Sequence, residues 1–339
     1  MVEQIRDIFK KYKNDEILIF AHADHDGICA SIGLNFLFGD IETIFSKLFI
    51  PRELPNIYNK KLFVICDLQL SEKEILYILR RGLEVINLDH HVVKDIQHYE
   101  YHCLNPKKIY GKQFISSSGL IWTLFKPIEI SWILAVGSAG DLAIEDVGDL
   151  FLEVYKNFPE LISGTDPKSI YNSRIFELAQ ILLMAFDTPH NGFELLKKCI
   201  PKNYNILYES ELYKEYIKKQ EILKEFLETE KDKIIETQNF VIINSMNQKY
   251  PGSYSVRLNL INKDDRVYIE HDNGRLFFRN YFGNEDIRNL SKLFGGSGAH
   301  ARVGGGFTRK TFEESIDLIK TYYNNKSQKS LFDFSKTNV

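Results

Sequence analysis

Short apolar runs and longer segments with helical periodicity alternate along the first half of the chain. The apolar runs predict four strands, at 17–21, 43–49, 62–66 and 84–88. In the segments between them apolar residues recur every three or four positions, which predicts helices at 28–38 and 71–81. This alternation is typical of an α/β fold with a parallel sheet that is covered on both faces. From 116 to about 200 the pattern becomes mostly helical.

The pattern changes at 204–237, a stretch that is rich in glutamate and lysine and contains no glycine or proline. Its apolar residues recur every three or four positions, so we expect one long helix. No clean heptad persists, which favours a connector between domains over a coiled coil. After this stretch the sequence predicts a smaller α/β domain with strands at 240–244 and 255–261, a hairpin turn at Asn273-Gly274 and a last helix at 311–323.

The chain has 339 residues, which exceeds one average domain and supports this division into parts. We expect a catalytic domain at 1–203, a connector helix at 204–237, a substrate-binding domain at 238–325 and a flexible tail at 326–339. The net charge of −3 excludes a basic surface over the whole chain, so any contact with a polyanion has to be local.

Three further features of the composition narrow the class of protein. No apolar run is long enough to span a bilayer, and the N-terminus lacks the apolar core of a signal peptide. We therefore expect a cytoplasmic protein that does not bind membranes. The four cysteines are far apart and form no CxxC pair, which argues against a disulfide framework and against a thiolate zinc site.

Three of the predicted strands end in acidic or histidine residues. These are His22, Asp24 and Asp26 after the first strand, Asp67 after the third, and Asp89, His90 and His91 after the fourth. The carboxyl ends of parallel strands meet at one edge of a sheet, which is where ligands bind in open α/β folds. A fourth acidic site, Asp141, follows the small residues of AVGSAGD.

The alternatives to a metal site are a solvated turn and a calcium loop. A solvated turn would explain the DHDG sequence at 24–27 alone, but not three strand ends with the same character. A calcium EF-hand loop fails because Gly33 stands where the twelfth position requires glutamate. Imidazole and carboxylate groups together suit Mn²⁺ or a similar divalent ion. The residues Ser116-Ser117-Ser118 before GLIW are typical of a helix N-cap rather than of a nucleophile.

The order of these motifs resembles that of the DHH phosphoesterase superfamily. The four matching motifs are DHDG at 24–27, Asp67 after a strand, DHH at 89–91 and GxxGD at 137–141. The stretch LFGGSGAHARVGGGF is similar to the glycine-rich GGGH motif of the companion domain, called DHHA1. The resemblance spans about residues 15 to 325. It implies an N-terminal DHH domain, a smaller C-terminal DHHA1 domain and an active-site groove between them.

The resemblance also implies a role for each residue. The metal ligands would be His22, Asp24, Asp26, Asp67, His90 and Asp141. They would hold two divalent ions, Mn²⁺ or alternatively Mg²⁺ or Co²⁺, with Asp67 between the two. His91 would be a ligand or a phosphate contact, and Asp89 would orient a histidine. A pair of such ions lowers the pKa of water and polarises a phosphodiester. The predicted catalytic residues are Asp67, which would lie between the ions, and Asp89 and His91, which would act beside them.

Substrate contacts are predicted in the C-terminal domain. Backbone amides of a glycine-rich loop can form an anion-binding nest, to which cationic side chains add. The predicted contacts are Gly296, Gly298, His300, Arg302, Gly304 and Gly305 in this loop, and Arg279 at the end of the hairpin. His300 matches the histidine of GGGH, although Ala299 replaces the glycine that usually precedes it. The guanidinium of Arg279 suits a phosphate because it donates two parallel hydrogen bonds.

Within the superfamily the sequence favours a RecJ-like exonuclease of archaeal type. Such an enzyme would hydrolyse single-stranded DNA or RNA to nucleotides in DNA replication or repair. The alternatives are a nanoRNase or phosphatase of 3′-phosphoadenosine 5′-phosphate, a cyclic-dinucleotide phosphodiesterase, and a non-catalytic replisome scaffold. The scaffold is disfavoured because every ligand position is occupied.

The tail contains the sequence QKSLFDF at 328–334, with apolar residues in a polar setting. Gln328, Leu331 and Phe334 match the Q-x-x-L-x-x-F spacing of peptides that bind the sliding clamp PCNA. Ser335 departs from this pattern, because a second aromatic residue usually stands there. We therefore expect that the tail binds the clamp by a helix-in-groove contact, with packing against its own domain as the alternative.

Overall fold

In the computed structural model the described residues are 2–48, 50–91, 96–112, 115–229, 231–244, 265–272, 274–282, 285–296 and 302–336, without the side chains at 223, 227 and 327–336. The structure divides into two compact units, Met1–Ile217 and Lys218–Val339. Among the described helices none is both long enough and apolar enough to cross a membrane.

A five-stranded sheet lies at the centre of the first unit. Its strands are β1 (Ile17–His22), β2 (Glu42–Ser46), β3 (Leu62–Cys66), β4 (Glu84–Leu88) and β5 (Tyr101–Cys103). They are ordered β2-β1-β3-β4-β5, and every neighbouring pair is parallel. The predicted parallel sheet is confirmed. The sequence pattern did not predict β5, because a strand of three residues is too short to give a periodic signal.

Helices follow or separate the strands of this unit. They are α1 (Val2–Lys11), α2 (His25–Phe38), α3 (Glu72–Arg80), α4 (Pro106–Tyr110), α5 (Ser117–Phe125), α6 (Ser131–Gly140), α7 (Gly148–Asn157), α8 (Pro167–Tyr171), α9 (Arg174–Leu183), α10 (Pro189–Cys199) and α11 (Asn205–Tyr208). Side chains of β1, β3 and β4 form a core with α3 on one face of the sheet. Helix α2 is buried almost all round and packs against α5, α6 and α10. The carboxyl ends of the strands are thus fixed in a dense framework.

The second unit contains a smaller mixed sheet. Its strands are β6 (Ile234–Glu236), β7 (Phe240–Asn244), β8 (Val267–Asp272), β9 (Arg275–Asn280) and β10 (Val303–Phe307). The order is β10-β9-β8-β7-β6, in which β7 and β8 are parallel and the other pairs antiparallel. Two helices, α13 (Ile287–Lys292) and α14 (Phe312–Lys336), bury one face of the sheet in a core of its own. The predicted smaller α/β domain is confirmed.

The predicted hairpin joins β8 and β9. Gly274 adopts a left-handed φ of 80° in its turn, a conformation that favours glycine. Asn273 lies outside the described residues, as does the strand predicted at 255–261.

The prediction of a single helix at 204–237 was wrong. The segment contains α11, the helix α12 (Glu211–Thr229) and strand β6. The Ser210 hydroxyl accepts a hydrogen bond from the Tyr213 amide and so starts α12 as a new helix. Ile234 pairs with Ile243, so the end of the segment joins the sheet instead of extending the helix. The boundary between the two compact units falls within α12.

The segment predicted as a flexible tail continues α14 as far as Lys336, while its flexibility stays a prediction. No glycine or proline occurs between 312 and 336 to stop it. Gln328, Leu331 and Phe334 therefore fall on a helix, while their side chains lie outside the described part of the structure.

Gly27 is needed where β1 turns into α2. A Cβ atom at this position would lie 2.2 Å from the carbonyl oxygen of His22, which belongs to the backbone and cannot rotate away. Gly148 is a useful contrast, because no atom lies within 4 Å of a Cβ built there. Both residues have a helical backbone, so they differ in the space available for a Cβ atom rather than in backbone conformation.

We expect Gly27→Ala to lower the melting temperature of the full chain, because the end of β1 has to move to accommodate the methyl group. A cost of about 1–3 kcal/mol is typical of such overpacking. Gly148→Ala is the control and should stabilise the protein by roughly 0.4–1 kcal/mol through the unfolded state. Thermal melts followed by circular dichroism measure both effects. Equal stability of the two variants would contradict the close packing at Gly27.

Candidate metal centre

The sheet order explains why the predicted residues meet. Strands β1, β3 and β4 are neighbours, and His22, Asp67 and Asp89 stand at or directly after their carboxyl ends. Asp24 caps the start of α2, where its side chain accepts a hydrogen bond from the Gly27 amide at 3.1 Å. Asp141 follows the last residue of α6. Rigid elements therefore bring the acidic and histidine side chains to one edge of the sheet.

The distances between these side chains are short. His22 Nδ1 lies 2.9 Å from Asp24 Oδ2 and 3.4 Å from Asp67 Oδ2. The other oxygen of Asp67 is 3.8 Å from Nδ1 of both His90 and His91. His90 Nε2 lies 3.3 Å from Asp141 Oδ2. Asp67 thus contacts both the His22 side and the His90 side of the cluster.

Three overlapping groups each have ligand atoms that lie within 4.8 Å of one another. They are His22, Asp24 and Asp67; Asp67, Asp89, His90 and His91; and Asp26, His90 and Asp141. Asp67 belongs to two groups, and Asp24 and Asp26 belong to different ones. Every metal ligand predicted from the sequence is included, whereas His25 packs its ring against Gly140 and is in none of the groups.

The backbone of Asp67 has an uncommon conformation. Its φ of 55° lies in the left-handed region, which costs a residue with a side chain about 1–3 kcal/mol. The Asp67 amide donates to the carbonyl oxygen of Leu88 at 3.1 Å, so the neighbouring strand holds this conformation in place. Backbone strain is thus concentrated at the residue that the two sides of the cluster share.

The carboxylates are crowded in a site with little water. Burial raises the pKa of Asp67 well above its ordinary value, and the charges of Asp24, Asp26 and Asp141 raise it further. Burial also raises the pKa of Asp26. Burial acts in the same direction on Asp24, but the adjacent His22 outweighs it and holds the pKa of Asp24 below its usual range. The cluster therefore carries electrostatic repulsion that a cation would relieve.

The residues fit a pair of divalent ions. Carboxylate and imidazole donors are the ligands of Mn²⁺ and similar metals, and they are arranged here around a shared carboxylate. The Asp89 side chain is fully buried, yet its Oδ2 atom has no hydrogen-bond partner among the described residues. Such an atom is unfavourable unless a further group satisfies it.

Several residues that support this site were not predicted from the sequence. The Asn105 side chain donates to the carbonyl oxygens of Asp89 and His91, both at 2.8 Å, and so fixes the DHH loop. Asn105 could have been recognised from the Asn-Pro sequence that starts α4, because the side-chain oxygen of Asn105 caps this helix. The Ser117 and Ser118 amides bind the Asp26 carboxylate. Phe186 packs edge-on to the His22 ring, with centroids 6.0 Å apart, and no sequence signal pointed to it.

Two predicted substrate contacts lie at one end of the second sheet. Arg279 pairs in register with Val303, the residue after Arg302. Arg279 Nη1 donates to the Phe278 carbonyl at 2.9 Å, and Arg302 Nη1 donates to the Tyr281 carbonyl at 3.1 Å. Arg279 therefore lies in β9 beside the start of β10, which Arg302 directly precedes. Gly298 and His300 lie outside the described residues.

The prediction of a continuous glycine-rich loop was wrong at its end. Gly304 and Gly305 belong to strand β10, because this segment pairs with β9. A Cβ at Gly296 would meet the Gly305 carbonyl oxygen at 1.9 Å, so close backbone packing requires this glycine. Several of the glycines thus serve the packing of the sheet edge.

Residues 16–144 match the model of the DHH family, N-terminal domain. No curated protein matches the chain. Among solved structures, the chain is similar to a DHH-domain member of the s1p family of ribosomal proteins, with 14% identity and a TM-score of 0.66 over 95% of this chain and 89% of that one. It is also similar to the exonuclease RecJ bound to manganese, with 15% identity and a TM-score of 0.53 over 91% and 90%.

A third similar structure is the pGpG-specific phosphodiesterase PggH from Vibrio cholerae, with 14% identity and a TM-score of 0.53 over 92% and 98%. At these identities the likeness shows the fold alone. The predicted DHH domain followed by a second, smaller sheet domain is confirmed. The roles of the individual residues and of the DHHA1 motif stay predictions.

We expect Asp67→Asn to raise the stability of the metal-free protein at pH 7. The pKa of Asp67 is raised on folding, so its ionised form weakens the fold, and stability falls as the pH rises through the folded pKa. Asparagine keeps the shape and tolerates the left-handed backbone. The gain should be about 2–4 °C in melting temperature in EDTA, and should disappear on acidification. Melts at pH 5 and 7 measure it, and a loss of stability at pH 7 would contradict the repulsion.

Proposed function

We propose that this protein is a divalent-metal-dependent phosphodiesterase of the DHH superfamily that removes nucleotides from the end of single-stranded DNA or RNA. The finer proposal is a RecJ-like exonuclease of archaeal type with a part in replication or repair. The observation that carries it is the cluster of three overlapping ligand groups, two of which share Asp67, within a segment that matches the DHH model.

The chain would hold one ion with His22, Asp24 and Asp67 and a second with Asp26, His90 and Asp141, with Asp67 serving both. When bound, such ions supply an activated water and neutralise the charge of the phosphodiester. Mn²⁺ is the ion we propose, with Mg²⁺ and Co²⁺ as alternatives.

Side chains next to the ligands would orient the substrate. Asp89 Oδ1 lies 2.7 Å from His91 Nδ1 and accepts from the His91 amide at 3.2 Å, which fixes the ring. We propose that His91 contacts the phosphate from this position.

We propose that the second unit contacts the nucleic-acid chain through Arg279 and Arg302. Their place at one end of the sheet supports this, because a guanidinium group donates two parallel hydrogen bonds to a phosphate. His300, Gly296, Gly298, Gly304 and Gly305 belong to the same proposal. A nanoRNase and a cyclic-dinucleotide phosphodiesterase would use the same ligands, so the length of the substrate has to distinguish them.

End-labelled single strands of different lengths test the proposal. We expect the protein with Mn²⁺ to shorten long single strands from one end, and a matched duplex to resist. Asp141→Ala should lower the rate by about 100-fold or more, because losing a ligand costs more than losing a residue that only orients a ligand. Glu145→Ala removes an exposed carboxylate nearby and is the matched control. Product lengths on denaturing gels give the result.

Two outcomes would contradict this proposal at different levels. Cleavage confined to dimers through pentamers would replace the exonuclease with a nanoRNase and leave the metal site intact. No hydrolysis of any phosphodiester with Mn²⁺, Mg²⁺ or Co²⁺ would overturn the phosphodiesterase, and the scaffold would then be the better description.

We propose further that residues 325–339 bind the sliding clamp PCNA through Gln328, Leu331 and Phe334. The backbone of this segment is helical as far as Lys336, which supports a helix-in-groove contact. The full chain should bind PCNA in calorimetry, and the double variant Leu331→Ala with Phe334→Ala should bind at least 10-fold more weakly. Lys329→Ala, on the same helix and outside the motif, is the control. Equal binding by the double variant would contradict the motif.

A further inference from the structure

The N-terminus of α5 points at a carboxylate of the metal centre. The Ser117 amide donates to Asp26 Oδ2 at 2.7 Å, and the Ser118 amide donates to Asp26 Oδ1 at 2.9 Å. Asp26 and both serines are fully buried. Each carboxylate oxygen therefore has one amide partner, and each keeps a lone pair for another ligand.

These two amides have no acceptor within their own helix. The first amides of any helix lack intrahelical partners, and the helix dipole makes this end favourable for an anion. In α5 the Ser116 hydroxyl accepts from the Gly119 amide at 3.1 Å, and Asp26 accepts from the two amides before it, those of Ser117 and Ser118. The capping of α5 is thus shared between a local serine and a residue more than 90 positions away in the sequence.

The start of α5 is itself fixed by side-chain hydrogen bonds. The Ser117 hydroxyl donates to the carbonyl oxygen of Leu88, the residue before the DHH motif, at 3.0 Å. The Ser118 hydroxyl donates to the carbonyl oxygen of Asp26 at 3.1 Å. A Cβ at Gly137 would lie 2.3 Å from the Ser118 hydroxyl, so α6 also packs closely here. Three motifs of the metal centre therefore meet at one helix end.

We propose that the Ser117 and Ser118 amides are positioning groups, which hold Asp26 as an oriented ligand so that the ion of the Asp26, His90 and Asp141 group depends on α5. This rests on the proposed function in one respect, namely that the cluster binds divalent ions. The ion held by His22, Asp24 and Asp67 does not depend on these amides. The two ions should therefore respond differently when an amide is removed.

Ser117 allows one amide to be removed cleanly. It is the first residue of α5, a position at which helices accept proline. Ser116 already has the extended backbone that a residue before proline needs, with φ −72° and ψ 173°. Ser117→Pro deletes the N–H and places a ring carbon against Asp26 Oδ2. Ser117→Ala keeps the amide and loses the hydroxyl, so it is the matched control.

Manganese binding by the full chain, measured by calorimetry and by electron paramagnetic resonance, gives the readout. We expect two ions in the wild type and in Ser117→Ala. Ser117→Pro should weaken the binding of one ion by about 10–100-fold, the range found when a group that orients a ligand is lost, and leave the other within a few-fold. In an Asp26→Asn background Ser117→Pro should add nothing further, because both changes act on the same contact.

Unchanged binding of both ions by a folded Ser117→Pro variant would overturn the proposal, and so would an equal loss of both. A wild type that binds two ions but hydrolyses no phosphodiester would overturn the proposed function and leave this inference standing.

A second measurement applies if Ser117→Pro does not fold. Asp26→Asn and Asp67→Asn each remove one charge from the cluster, but only Asp26→Asn turns an acceptor into an NH₂ group that faces an amide. Asp26→Asn should therefore raise the melting temperature of the metal-free protein less than Asp67→Asn does, or lower it. A rise for Asp26→Asn that equals or exceeds the rise for Asp67→Asn would show that the amides do not hold the carboxylate, and would overturn the proposal.

Discussion

Mutual repulsion between buried carboxylates is the constraint on which the rest of the first unit depends. Asp26, Asp67 and Asp89 are 0–3% exposed and share one edge of a sheet with Asp24 and Asp141. No arrangement of side chains alone makes such a cluster favourable when every carboxylate is ionised. The framework around the cluster therefore has to be stable enough to offset a local loss of folding free energy, as is usual where a site is built for a ligand.

The structure limits this cost by giving each carboxylate a different partner. Asp24 has an imidazole and a helix-capping amide, Asp26 has two amides of α5, and Asp89 has the ring and amide of His91. Asp67 is the exception, because charged neighbours surround it and its backbone is strained. The residue with the least favourable surroundings is the one that stands between the two ligand groups. A cation would relieve repulsion there most directly.

The sequence allowed the strands and the ligands of this edge to be predicted because both signals are local. A buried strand appears as an apolar run, and the residue after it is placed by the strand itself. The amide partners of Asp26 could not be predicted, since they come from a helix more than 90 residues later and depend on how α5 packs. The strand β6 was missed for a similar reason. Its residues have helical spacing, and only pairing with β7 decides their conformation.

Under the proposed function the two units would have different tasks. The ligand edge of the first unit is built from strand ends and helix ends, so its geometry would vary little with the substrate. In the second unit Arg279 and Arg302 already donate hydrogen bonds to backbone carbonyls. A phosphate bound there must therefore offer more than the hydrogen bonds it replaces. Its negative charge would provide the difference, so the proposed binding of substrate by the second unit should be sensitive to salt.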